Sequence, residues 1–285
     1  GHVLSYRDRD QLGVYEYDYG REEFTATVFV HDRFDVDDVV LRDGRLQGVT
    51  WIEERPRVQW FDPPRAGFQA ELEQALPGSI TAVVSESRDR NVRLVQTESP
   101  TDPGTFYVYT DASGKMAPLG RINSALAGKP LAPTRYVSYP ARDGLPIPAY
   151  LTLPLGRPPQ GLPLVVMPHG GPFARDAGDY DFVTQYLANR GYAVLQPNFR
   201  GSKGYGRRFE ARGYGEWGKA MQDDLDDGVK WLVASGQADP ARVCMVGWSY
   251  GGYAAQVASF RNPDLYRCAV SIAGISDLAA LLRYD

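Results

Sequence analysis

From residue 1 to about 130 the apolar positions come in short runs, each bounded by polar turn residues. TATVFV (25–30), LQGVTWIE (46–53), RVQWF (57–61), ITAVVS (80–85), VRLVQTE (92–98) and TFYVYT (105–110) are rich in β-branched and aromatic side chains. Between them lie Asp43-Gly44, the DRN stretch at 89–91 and DASG at 111–114, residue types that accept tight-turn backbone. Repeated hairpins at this spacing predict an antiparallel β architecture. One stretch departs from it. Phe68, Leu72 and Leu76 recur at every fourth position in FQAELEQALPG, which predicts a short helix ended by Pro77-Gly78.

The pattern changes after ALAGKPLAPT (125–134). RYVSYPAR (135–142) and IPAYLTLP (147–154) read as two strands around the turn Asp143-Gly144. Strands and helices then alternate: LPLVVMP (162–168), a helix over DYDFVTQYLANR, and YAVLQPN (192–198). The next helix covers AMQDDLDDGVKWLVASG, where Met221, Leu225, Val229 and Leu232 make an apolar stripe. RVCMVGW (242–248), a helix from residue 250 and YRCAVSIAG (266–274) follow. Apolar strands alternating with amphipathic helices predict a parallel sheet covered on both faces. The expected fold class is therefore α/β, with an all-β part over residues 1–130 and an α/β domain over 131–285.

Two glycine-rich motifs sit where that α/β pattern turns from strand to helix. Gly247-Trp248-Ser249-Tyr250-Gly251-Gly252 follows an apolar strand and opens a helix, the context of the nucleophile elbow of α/β-hydrolases. Such a turn lifts the serine hydroxyl above the sheet, and its glycines let strand and helix approach. The helix N-terminus below favours developing negative charge. His169-Gly170-Gly171-Pro172 follows the strand LPLVVMP. In this fold the loop after that strand gives one backbone N–H to the oxyanion hole, and the residue after the nucleophile gives the other. The expected roles are Ser249 as nucleophile, Gly171 and Tyr250 as oxyanion donors, and His169 and Gly170 as members of the oxyanion loop. Trp248 and Tyr250 read equally as cleft lining or as core.

Composition narrows the classes without adding a site. With 43% hydrophobic and 23% charged residues the chain can bury a core and reads as soluble. A net charge of −4 with dispersed basic residues gives no footprint for nucleic acid or an anionic membrane. No apolar run approaches the roughly 18 residues of a membrane span. The opening GHVLSYRDRD has no signal-peptide core, but Gly1-His2 is also what a cut inside a longer protein would leave, so cytoplasm and periplasm both remain open. Cys244 and Cys268 lie in apolar strands and read as two buried thiols, with a disulfide as the alternative. Two cysteines and three histidines, at positions 2, 31 and 169, do not make a metal site. Asp223, Asp224, Asp226 and Asp227 point in several directions on one helix, which favours a solvated face with local hydrogen bonding over a metal cluster.

HGGP, NFRGSKGYG (198–206), Trp217-Gly218, Gln222-Asp223-Asp224 and GWSYGGY occur in this order, and together they resemble the prolyl oligopeptidase family of serine peptidases, its acylaminoacyl-peptidase-like bacterial members most of all. The resemblance covers residues 135–285 well and the strand-rich part loosely. It implies that residues 1–130 are the last blades of a β-propeller that restricts access to the serine. It also implies cleavage of peptide or acyl-peptide bonds through an acyl-enzyme, with no metal or cofactor. Glu53-Glu54 is similar to the paired glutamates with which dipeptidyl-peptidase relatives hold a substrate amine, but its position differs and the role is not carried over.

In this fold the triad runs serine, acid, histidine in chain order. After Ser249 the chain holds no histidine, and the family's acid lies further on than Asp277 or Asp285. The chain is therefore expected to be cut short at both ends and silent by itself, since an unassisted serine hydroxyl is a poor nucleophile. A homo-oligomer, or a partner chain carrying the missing segment, would be consistent with that. Two other readings stand beside the peptidase: a peptide-binding module that keeps the cleft without the base, and a carboxylesterase of the same fold.

Overall fold

The structure, a computed structural model, describes residues 1–284. Three antiparallel sheets come first. β1 (His2–Ser5), β2 (Gly13–Asp18) and β3 (Glu23–Phe29) form one, in the order β1-β2-β3. β4 (Val36–Arg42), β5 (Arg45–Ile52) and β6 (Pro56–Trp60) form the second, and Val14, Val36 and Val49 make the small core between these two. α1 (Pro63–Ala75) leads to the third, a meander of β7 (Ile80–Glu86), β8 (Val92–Ser99), β9 (Asp102–Thr110) and β10 (Lys115–Arg121). Phe68 and Leu72 of α1 bury against Val95 of β8. The helix starts five residues before the periodic stretch, because Pro63 occupies its first position, where a missing N–H costs nothing.

From β11 (Thr134–Pro140) onward the chain builds one six-stranded sheet, in the order β11-β12-β14-β13-β15-β16. β12 (Pro146–Thr152) pairs antiparallel with β11 and with β14 (Ala193–Pro197). β13 (Leu162–Val166), β14, β15 (Ala238–Trp248) and β16 (Cys268–Ile272) are parallel, so the sheet is mixed. Leu162, Leu164 and Val166 face the main core, and Val165, on the opposite pleat, is buried as well. The helices are α2 (Phe182–Asn189), α3 (Arg207–Ala211), α4 (Ala220–Ala234), α5 (Tyr250–Arg261) and α6 (Leu278–Tyr284). All four residues of the α4 stripe are fully buried. Among the described residues no helix is long and apolar enough to cross a membrane.

Two sequence expectations are corrected here. The four aspartates of α4 are not a solvated face: Asp224, Asp226 and Asp227 are buried. Asp224 takes the Arg200 guanidinium at 2.7 Å, and Asp227 takes Arg142 at 2.9 Å. Asp226 accepts from Tyr266 and Asn262, and Asp223, which stays partly accessible, pairs with Arg142 and Arg261. Burying a carboxylate is tolerated only with such partners, and removing one side of a buried pair costs about 3–5 kcal/mol. Among the described residues no cluster suited to a metal forms. Cys244 and Cys268 are not free thiols either. They stand opposite each other on neighbouring parallel strands and form a disulfide.

Candidate active site

β15 ends at Trp248 and α5 begins at Tyr250, so the chain turns from strand to helix on Ser249 alone. Ser249 has φ 54 and ψ −120, a conformation that a side-chain-bearing residue adopts only when its surroundings impose it. Those surroundings need glycine. A Cβ on Gly247 would lie 2.3 Å from Gly251 backbone atoms, and one on Gly251 would lie 2.2 Å from the Pro168 carbonyl oxygen. Strand, helix and the end of β13 therefore meet backbone to backbone. The Ser249 N–H is bound to Ile272 O, and its hydroxyl makes no capping bond to α5, which leaves the Oγ exposed and uncommitted.

The same close approach brings the loop after β13 to the serine. A Cβ built on Gly170 would stand 3.5 Å from Ser249 Cβ and 4.0 Å from its Oγ. Gly171 has φ +112, open to glycine and costly for other residues. Among the described residues neither the Gly171 N–H nor the Tyr250 N–H is given to a backbone acceptor. The structure thus brings together Ser249, Tyr250, Gly170 and Gly171.

His169 has a different place from a base. Its Nδ1 lies 2.7 Å from Gly170 O and its Nε2 lies 2.8 Å from Ser202 Oγ. The ring stacks on Phe199 at 4.4 Å. Burial pulls its pKa down to about 4, against the Gly170 carbonyl, which favours the charged form, and with the help of the Arg175 charge. The Gly170 carbonyl can only accept, so the neutral ring donates to it from Nδ1, and Nε2 is left as an acceptor facing Ser202 Oγ, whose hydroxyl also lies 2.7 Å from Phe199 O. Gly170 C=O and Gly171 N–H belong to one planar peptide and point in opposite directions. By holding the carbonyl, His169 fixes the direction of the Gly171 N–H. Of the other two histidines, His31 faces Glu53 across 3.5 Å and accepts at Nδ1 from two backbone N–H groups, and His2 lies in β1.

Around this centre Tyr250 is fully buried among Phe199, Trp217 and Tyr253, whereas Trp248 is 38% exposed. The two aromatic neighbours of the serine thus divide into core and exposed surface. Phe173, from the oxyanion loop, meets Tyr214 edge to face. Glu53 is tied to Trp51 and Arg57. Asp277 accepts from Ala280 N in the first turn of α6, and Asp285 lies outside the described residues.

NFRGSKGYG, to which the sequence alone gives no role, holds the loop after β13. Asn198 Oδ1 accepts from Asp176 N, Asn198 Nδ2 donates to Asp176 O, and Lys203 N donates to Ala174 O. Asp176 is partly buried, and its Oδ2 is out of solvent with no partner among the described residues. Burial, reinforced by Asp181 and Asp179 and opposed by Arg175, pushes its carboxyl up to about 8. An acid raised in this way contributes stability below its unfolded pKa and loses it as pH climbs through the folded value. The Asp176 contribution should therefore fall between about pH 4 and 8. Asp226, raised by burial to about 6, adds to the lower part of that window. His169, pulled down to about 4, works against it there, because a base with a lowered pKa gains stability as pH rises. The net decline therefore belongs to the upper part. Asp176→Asn should flatten the upper part, between pH 6 and 8, in urea midpoints measured against pH. An unchanged slope there would remove Asp176 as its source.

Residues 179–284 match the sequence profile of the prolyl oligopeptidase family. The chain is 38% identical over 246 residues to dipeptidyl aminopeptidase BIII of Pseudoxanthomonas mexicana, covering 84% of this chain and 36% of that protein. It is 35% identical over 279 residues to dipeptidyl peptidase family member 6 of Caenorhabditis elegans, covering 90% of this chain and 38% of that one. The chain thus spans little more than a third of the length of these curated relatives. Among solved structures, a Mycobacterium tuberculosis puromycin-hydrolyzing peptidase superposes with a TM-score of 0.78 at 25% identity, over 99% of this chain and 44% of its own. Pyrococcus horikoshii acylaminoacyl peptidase superposes with a TM-score of 0.67 at 23% identity, over 94% of this chain and 41% of its own, a likeness of fold.

Proposed function

The chain belongs to the prolyl oligopeptidase family, and from that premise we propose that it is the nucleophile and oxyanion part of a serine peptidase acting on peptide or acyl-peptide bonds. The observation that carries this reading is the pairing of an exposed Ser249, held at φ 54 against the oxyanion loop, with two unengaged N–H groups beside it. In the proposed reaction Ser249 Oγ bonds to the substrate carbonyl carbon while its proton passes to a base. The carbonyl oxygen becomes an oxyanion facing Gly171 N–H and Tyr250 N–H, donors already aimed before charge develops. The C–N bond then breaks, the amine leaves with the proton, and water releases the acyl group from Ser249.

The base is not His169, because its two ring nitrogens are engaged with Gly170 O and Ser202 Oγ and the ring resists protonation. We assign the base and its acid to sequence beyond these residues. The relatives, of which this chain spans little more than a third, have room for them. The dipeptidyl aminopeptidase and dipeptidyl peptidase relatives support amide substrates.

The test compares the full gene product on N-acyl peptides, free dipeptide amides and simple short-chain esters. The peptidase reading expects amide turnover with an acyl-enzyme burst, and no turnover above a trace from residues 1–285 alone. Turnover confined to the esters would make the protein a carboxylesterase. Tight peptide binding without turnover would make it a binding module.

A further inference from the structure

The oxyanion loop is bonded on its inner side to the 198–206 segment, as described. On its outer side it sends out Arg175. Arg175 Nη1 donates to Ile52 O at 3.0 Å, and Nη2 donates to Glu53 O at 2.9 Å and to Tyr205 OH at 2.8 Å. Its Nε donates to Asp176 O, and its guanidinium carbon lies 4.2 Å from the centre of the Tyr205 ring. Every nitrogen of the guanidinium is engaged. Two of these bonds go to consecutive carbonyls at the end of β5, in the strand-rich half. A planar fork on adjacent carbonyls fixes direction as well as distance, which a lysine ammonium cannot do.

This link does not sit in a packed interface. Ala174 and Arg175, with Val36, Ile52 and Lys203, line a cavity of about 440 Å³ between the two halves. Other bonds dock the halves without Arg175: Tyr150 OH to Glu54 O, Gly206 N to Asp35, and Arg207 N to Asp10 O. From Gly171 to Arg175, moreover, the loop has no slack. A Cβ on Gly171 would lie 2.7 Å from Phe173 N and 2.9 Å from Ala174 N, so the segment is coiled back on itself.

We infer that Arg175 is a positioning residue through which the 52–54 turn of the strand-rich half sets the oxyanion loop and hence the direction of Gly171 N–H. The inference rests on the proposed acyl-transfer reading, and it makes that reading depend on docking between the halves. A shift of about 1 Å at a donor costs catalysis on the order of a hundredfold without necessarily changing substrate binding.

The test is Arg175→Met in the full gene product, with Arg175→Lys beside it, read by steady-state kinetics and by amide hydrogen exchange. Expected for Arg175→Met is a kcat at least tenfold lower, KM within twofold, and exchange at least tenfold faster at the Asp176 and Lys203 amides, which bond Asn198 Oδ1 and Ala174 O, with the 250–258 amides unchanged. Arg175→Lys should recover part of both effects. Wild-type kcat and loop exchange in Arg175→Met overturn the inference, and so does a rise in KM at constant kcat, which would make Arg175 a substrate contact. If Arg175→Met loses protection throughout, Arg175→Lys decides, and global loss there as well reduces the residue to a stabilising one. Loop exchange is measurable whether or not the protein hydrolyses anything. An inactive wild type with a loosened Arg175→Met loop thus defeats the catalytic reading alone, and an active one with an unmoved loop defeats Arg175 alone.

Discussion

Ser249→Ala in the full gene product is expected to lower kcat on an amide substrate by about 10⁶, leaving the residual rate that binding and oxyanion donors supply. The expectation comes from local geometry. Ser249 is exposed at the tip of the turn, its hydroxyl is bonded to nothing that holds the fold, and the turn itself is made by Gly247 and Gly251. Alanine can occupy the same backbone, so circular dichroism and the urea midpoint should match the wild type. KM should move little, because the hydroxyl contributes to bond making and not to holding the substrate. A variant that retains more than a hundredth of the wild-type kcat would place the nucleophile elsewhere.

Gly171→Val should lower kcat by about 10²–10³, the loss of on the order of 3 kcal/mol for one oxyanion donor. A β-branched residue is an outlier at φ +112, and its Cβ would press on the N–H groups of Phe173 and Ala174. The loop must rotate, and the N–H that His169 orients through Gly170 O rotates with it. Because the donor acts on charge that appears only in the transition state, KM should stay within a few-fold. A raised KM at unchanged kcat would make the loop a binding element.

The two glycine turns, at 247–251 and at 170–171, were legible in the sequence because backbone-to-backbone contact leaves only glycine at positions 247, 251 and 171, and that requirement is local. The α4 stripe was legible because Met221, Leu225, Val229 and Leu232 share one helix face. What escaped depends on partners far along the chain. Asp227 meets Arg142, 85 positions away, and Asp224 meets Arg200, so four aspartates within five residues resembled a wet surface. Cys244 and Cys268 become partners only when β16 takes its place beside β15. β1, β2, β4 and β10 were not predicted: β1 is four residues long, β2 and β4 break their apolar runs with Glu16 and with Asp37-Asp38, and β10, KMAPLGR, carries a proline and is mostly exposed. Arg175, Asn198 and Ser202 gave no signal as single residues. Their roles arise only where the oxyanion loop, the 198–206 segment and the end of β5 converge.

The central claim is that Ser249 is the activated nucleophile beside a preformed oxyanion site. The direct measurement is reaction of the full gene product with a fluorophosphonate, followed by intact mass and peptide mapping, in the wild type and in Ser249→Ala. The account predicts one adduct per chain, on Ser249, and none in the variant. An adduct on another serine, or labelling that survives Ser249→Ala, would contradict it.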